Sequence, residues 1–207
     1  MSKILLVAEG KHEHGGALQQ LVSRVLGGNH EFEADRLANS PVRVHVKGRG
    51  YEKKAIRWLM EAQKRGYDAL ILLVDRDENM NRESELKIAQ QYPTAIGDKH
   101  LPRAVGVAVE MFDTWIFADE QALSRVVGAT IQTQQAPEAI AKPKEHLRML
   151  LQREASRPPY AKLYSDVAGE IDLERLRLRC PAGFGTFAQR IEEMRLPGDC
   201  PTGGTPV

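Results

Sequence analysis

Acidic residues follow apolar runs at three places in this chain: Glu9 after Lys3 to Ala8 (KILLVA), Asp75 and Asp77 after Ala69 to Val74 (ALILLV), and Glu110 and Asp113 after Arg103 to Val109. Gathered carboxylates are hard oxygen ligands, suited to Mg²⁺ or Mn²⁺, ions that keep several waters and often bind a substrate phosphate. A bound cation would relieve the repulsion among the acids and polarise a phosphoryl oxygen or activate a water. At an extended strand end, Asp75 and Asp77 would project to one side while Arg76 points away, so two carboxylates could share one cation. A single DxD also has a plainer reading, because turns after strands are rich in Asp as turn formers and helix caps. Glu9 in an equivalent place on another strand favours the metal.

Around these acids stand residues with two readings each. His12 and His14, in EGKHEHGG, have the types of metal ligands or an acid/base pair, but a charged turn exposed to water is the preferred reading of each. Glu13, four residues after Glu9, would aid a second metal if the following helix begins early. Lys47 and Arg49 are flanked by Gly48 and Gly50, which would let the backbone approach a phosphate closely; a solvated basic turn is the alternative.

The elements that must position these residues read as alternating strands and helices. The first strand, Lys3 to Ala8, and the third, Ala69 to Val74, are continuous apolar runs of the kind buried on both faces of a parallel sheet. A short alternating strand is expected at Val42 to Val46 and a fourth at Arg103 to Val109. Between them, the spacing of Leu18, Leu21, Val22 and Val25 predicts a helix stopped by Gly27-Gly28, and Ala55, Ile56, Leu59 and Met60 mark another. A polar helix is predicted over Glu83 to Gln91, and Asp119 is a good N-cap for a short helix ended by Gly128. This order predicts an α/β, Rossmann-like, mainly parallel sheet joined by right-handed crossovers, with a crevice outside the carboxyl ends of its strands.

Beyond Gln132 the pattern becomes helical, with helices expected at Lys144 to Glu154, Leu173 to Leu178 and Thr186 to Arg195. The predicted organisation is a core over 1–130, a helical appendage over 131–196 packed on it, and a frayed tail over 197–207. The 207 residues allow one principal domain, and 42% hydrophobic with 28% charged residues is ordinary for a globular chain. A formal net charge of +1 does not mark a nucleic-acid binder, although local patches can act where net charge does not. Cys180 and Cys200 lack CxxC spacing, which argues against a structural zinc site or a disulfide framework. No run approaches the ~20 apolar residues of a membrane span, and Glu9 cuts short the apolar N-terminal run, so a cytoplasmic protein is expected.

VAEG after the first strand and LLVDRDE after a later one resemble the Toprim domain of topoisomerases, bacterial primases and nucleases of the overcoming-lysogenization-defect type. The resemblance rests on Glu9-Gly10 and Asp75-Arg76-Asp77. It implies a compact Rossmann-like domain whose acids bind Mg²⁺ and make or break phosphodiester bonds. A nearer likeness is to small stand-alone bacterial Toprim-like proteins of unknown function. The matching runs are EGKHE, KGRG, DRD, DTWIFAD (Asp113 to Asp119), Pro143-Lys144, Tyr160-Ala161-Lys162 and CPAGF (Cys180 to Phe184). In this chain His12 stands where Thr is usual, and Asp113 where Glu is commoner.

These residues lead to a metal-dependent nuclease acting on DNA or RNA. Glu9, Asp75 and Asp77 are the expected catalytic and metal-binding acids, with Glu13 and Asp113 auxiliary ligands and Lys47, Arg49 and Lys162 on phosphates. Mg²⁺ is the expected cofactor and Mn²⁺ its substitute. Resemblance also implies a bacterial ATPase partner in anti-phage defence. A non-catalytic subunit that binds a partner or nucleic acid is the alternative. A phospho-acceptor domain fits least, because the first strand ends in Glu where that class needs a nucleophilic Asp.

Overall fold

The structure, a computed structural model, describes residues 1–10, 16–39, 46, 48–93, 100–151 and 159–197. Four parallel strands form one sheet: β1 (Lys3–Ala8), β2 (Glu31–Arg36), β3 (Ala69–Asp75) and β4 (Arg103–Ala108), in the order β2-β1-β3-β4. Every residue of β3 is buried, and β1 and β4 are nearly so. Their continuous apolar runs fit helices on both sides. The expected strand at 42–46 lies outside the described residues except for Val46, which is buried. Instead β1 pairs on that side with Glu31–Arg36, from Lys3 opposite Glu31 to Ala8 opposite Arg36. EFEADR is polar because this is an edge strand, whose acids face Lys3 and Arg65 and not the core.

Helices α1 (Leu18–Leu26), α2 (Gly50–Lys64) and α3 (Asn81–Gln91) make the crossovers. They divide the core by strand alternation. Ile4, Leu6, Ile71 and Leu73 pack with α1, and Leu5, Val7, Leu70 and Leu72 pack with α2 and α3. On the α2 side Trp58 is fully buried, and its indole N–H donates to the Leu37 carbonyl at 3.1 Å.

The helices that follow β4 are α4 (Asp113–Ile116), α5 (Glu120–Val127), α6 (Pro143–Leu151), α7 (Tyr160–Glu170), α8 (Leu173–Arg179) and α9 (Thr186–Glu192). The helix at α7 is absent from the sequence expectations, because Pro158-Pro159 reads as a break; its buried Leu163, Tyr164, Val167 and Ala168 stand at helical spacing, and the helix packs against α1 and α5. These C-terminal helices share one apolar core with the α1 face of the sheet. Their contact with the edge strand β4 is close. A Cβ on Gly106 would come within 2.3 Å of the Phe187 ring on α9, so only glycine lets that helix settle there.

Asp119 caps α5 as its sequence context predicts, accepting from the N–H groups of Gln121 and Ala122, while Gly128 ends the helix at φ 78°. Burial works against its charge, but the N–H groups of Asp172 and Ala122 and the Arg175 guanidinium outweigh it and hold its carboxyl below the usual range. A carboxyl lowered in this way stabilises the fold above the unfolded-state value, about 3.9, and that contribution disappears as pH falls through the lower folded value. Asp119→Ala is therefore expected to cost about 1–2 kcal/mol in urea unfolding at neutral pH. The gap between the two proteins should narrow in melts run progressively below pH 4; a gap independent of pH would contradict this account.

Candidate functional site

Strand order reverses between β1 and β3: the chain leaves β1 for β2 on one side, then crosses to β3 on the other. In doubly wound sheets ligands bind at this switch point, outside the carboxyl ends of the strands. Ala8 pairs with Leu73, so Glu9 stands beside the end of β3. The acids that follow the first and third strands thus share this carboxyl edge of the sheet.

Alternation does not arrange them as the sequence suggests. Asp75 is the last strand residue, and Arg76 to Asn79 form a tight turn closed by Asn79 N–H on the Arg76 carbonyl at 3.0 Å. Its central residues, Asp77 and Glu78, have φ of 45° and 60°, as in a type I′ turn. The expectation that Asp75 and Asp77 share one side by strand alternation is therefore corrected, because the pleat ends before Asp77. The buried Asp75 carboxylate accepts the Phe112 N–H at 2.8 Å. Asp77 reaches Arg82 of α3 at 3.0 Å.

Arg82 organises the opposite side. Its Nη1 donates to the Asp75 main-chain carbonyl and to Asp77 Oδ2, and lies 3.6 Å from Glu9 Oε2. The guanidinium carbon sits 4.3 Å from the centre of the Tyr51 ring, in cation–π contact. Tyr51, in the first turn of α2, donates its phenol proton to Glu9 Oε1 at 2.6 Å. Desolvation, and then the Glu9 carboxylate, push the Tyr51 hydroxyl up to about 12, so at neutral pH it stays a donor. Neither Tyr51 nor Arg82 carries a motif in the sequence; the only signal was their proximity to KGRG and DRD.

The other oxygen of Glu9, Oε2, is buried without a hydrogen-bond partner, and so is Arg82 Nε. A buried unsatisfied acceptor is costly, and a cation is one way to satisfy it. Among the described residues no group of three His, Cys, Asp or Glu side chains is assembled to hold a metal. Glu9 and Asp77 carry hard oxygen donors of the kind a divalent cation takes, and both contact the same Arg82 nitrogen, Nη1, at 3.6 and 3.0 Å.

Backbone strain collects at the same edge. Asp77, Glu78 and Glu110 are the non-glycine residues with positive φ among the described residues, a conformation that costs about 1–3 kcal/mol each. Glu110 accepts the Asp77 N–H at its carbonyl, and its carboxylate pairs with Arg76. The turn after β3 and the loop after β4 thus brace each other, fixing where Asp77 points.

The remaining candidates fall as follows. Asp113 is buried, one residue after the Phe112 N–H that binds Asp75; it accepts from the Tyr164 hydroxyl and lies 3.7 Å from Lys144. Arg49 is exposed just before α2. Gly48 and Gly50 have φ of 125° and 44°, and a Cβ on either would come within 2.7 Å of a carboxylate, that of Glu52 or Glu85. The close approach expected for a phosphate is thus made by acidic side chains, with Glu85 accepting the Tyr51 N–H at 2.7 Å. Lys162 is exposed on α7, where its ion pair is with Asp166 one turn on, at 2.6 Å. Glu13, Lys47, His12 and His14 lie outside the described residues. No helix among the described residues is long and apolar enough to cross a membrane.

A family model described as a domain of unknown function (DUF4276) matches residues 8–192. The chain belongs to that family. The DUF4276 match runs from the last residue of β1 to the last of α9, so it takes in Glu9, the turn after β3 and the C-terminal helices together. None of the curated proteins and none of the solved structures matches the chain.

Proposed function

We propose that this DUF4276 chain is a Mg²⁺-dependent nuclease-type phosphodiesterase of Toprim kind, hydrolysing DNA or RNA across the carboxyl edge of its sheet. The observation that carries the reading is the meeting of Glu9 and Asp77 at the β1/β3 switch point, with one Glu9 oxygen buried and unsatisfied. A divalent cation bound there would supply the positive charge that polarises a phosphoryl oxygen and generates a nucleophile from water. Tyr51 holds Glu9 in one orientation through its phenol proton. The strained turn presents Asp77, and Asp75 locks the end of β3 to the loop after β4. Arg49, with Lys47, is the cationic group for flanking phosphates. Among the described residues, cavities of about 550, 440 and 630 Å³ lie elsewhere, and none of these is lined by Glu9, Asp75 or Asp77. An acidic edge outside an enclosed pocket suits a polymer lying across it better than a small molecule. On the same reading the chain works in the cytoplasm with an ATPase in anti-phage defence.

Arg82 favours a second reading. A guanidinium already between Glu9 and Asp77 can be their permanent counter-ion, which leaves a non-catalytic subunit that binds a partner or nucleic acid. The two readings separate when purified protein is incubated with plasmid, single-stranded DNA and tRNA in Mg²⁺, Mn²⁺ or EDTA, beside Asp77→Asn. Cleavage that needs the cation and falls at least about 100-fold in the variant is the expected result, the scale on which removing one electrostatic partner acts. Wild-type inactivity on every substrate, with no heat of cation binding, decides for the non-catalytic subunit.

A further inference from the structure

Arg82 raises a question that the proposed chemistry leaves open. A guanidinium and a divalent cation cannot occupy the same few ångströms, yet both have a claim on Glu9 and Asp77. The structure shows how tightly the arginine is held. Arg82 is nine-tenths buried, lies over the Tyr51 ring, and uses one nitrogen, Nη1, for Asp75 O, Asp77 Oδ2 and the longer 3.6 Å approach to Glu9 Oε2. Its fork is poorly used. Bidentate pairing is what makes an arginine–carboxylate contact strong, and here Nε has no partner while Glu9 Oε2 has no hydrogen bond. Two complementary groups are buried within the same contact without meeting.

We infer that Arg82 is an exchangeable counter-ion: its guanidinium holds Glu9 and Asp77 together until a divalent cation displaces it. This inference rests on the metal-dependent reading above. The imperfect pairing makes the exchange feasible, since none of the Nη1 contacts the arginine surrenders, to Asp77 Oδ2, to the Asp75 carbonyl and at 3.6 Å to Glu9, is bidentate. Glu9 meanwhile gains a ligand for an oxygen that now has none. Tyr51 is unaffected by the exchange at its hydroxyl, because it binds the other Glu9 oxygen.

Removing the competitor should tighten cation binding even though it removes a stabilising contact, and a residue with a merely structural role would not do this. Mn²⁺ binding is to be measured by calorimetry on the full chain for wild type, Arg82→Gln and Lys87→Gln, with melting in EDTA and in saturating Mn²⁺. Arg82→Gln is expected to bind Mn²⁺ about tenfold more tightly or better, the equivalent of one charge-assisted hydrogen bond no longer to be broken. It should also melt lower than wild type in EDTA and recover more on adding Mn²⁺. Lys87→Gln removes a positive charge from the exposed side of α3, the helix that carries Arg82, and its affinity should change less than threefold. Should Arg82→Gln fail to fold, the wild type answers alone: titrating Mg²⁺ should move the Arg82 Nε–H nuclear magnetic resonance signal in step with the calorimetric isotherm. Equal or weaker Mn²⁺ binding by Arg82→Gln, or an unmoved Arg82 signal at saturating Mg²⁺, overturns the exchange while the cation site stands. Absence of cation binding in wild type and variant alike overturns both this inference and the metal-dependent reading.

Discussion

Glu9→Gln is expected to lower the rate of the proposed phosphodiester cleavage by at least about 100-fold while leaving the fold nearly as stable as wild type. The substitution keeps the side-chain shape, and an amide oxygen can still accept the Tyr51 phenol proton now held at 2.6 Å. What it removes is the negative charge, and with it the pull on both Arg82 and a cation. The 3.6 Å contact to Arg82 is long and half of it is a third exposed, so its loss is worth only a few tenths of a kcal/mol. Initial rates on the best substrate, set against urea unfolding of the same preparation, check both halves. A rate within threefold of wild type would remove Glu9 from the proposed chemistry. A large loss of stability would recast it as a structural acid.

Trp115→Ala should have the largest effect on stability, about 3–5 kcal/mol. Trp115 is fully buried in α4, directly after the segment that binds Asp75, with its ring 5.0 Å from Phe112, 5.2 Å from Phe184 and 6.0 Å from Phe187. Those partners come from the loop after β4, from the turn Pro181–Gly185 and from α9. Truncation therefore opens a cavity where the sheet meets the C-terminal helices, and the surrounding backbone can close only part of it. Its indole nitrogen has no hydrogen-bond partner, so the loss is one of packing. A globular chain of this size has about 5–15 kcal/mol in total, so the variant should lose a large share of its stability. Chemical denaturation measures the change. A cost below about 1 kcal/mol would mean that the helices after β4 contribute little to the core they share with the sheet.

The strands β1, β3 and β4 and their parallel arrangement are written in the sequence, because a strand covered on both faces must be apolar along its whole length. Acids placed directly after such strands fall at the carboxyl edge in any fold of this class, so Glu9 and Asp75 could be assigned to that edge from the sequence alone. The Asp119 cap and the Gly128 stop are equally local, each depending on a residue and its near neighbours. What the sequence could not determine depends on partners distant along the chain. EFEADR is a strand only because β1 offers it a parallel edge, and nothing local to α7 says that its apolar face packs on α1 and α5. Whether Asp77 continues the pleat or turns away was decided by a left-handed turn braced against Glu110, 33 positions later by number. The packing of α3 beside α2 brought Arg82 and Tyr51 to the acids, and no spacing rule reaches that far. Local patterns specify which residues arrive at the edge; tertiary packing chooses which of them touch, because a contact between two elements is a property of neither one alone.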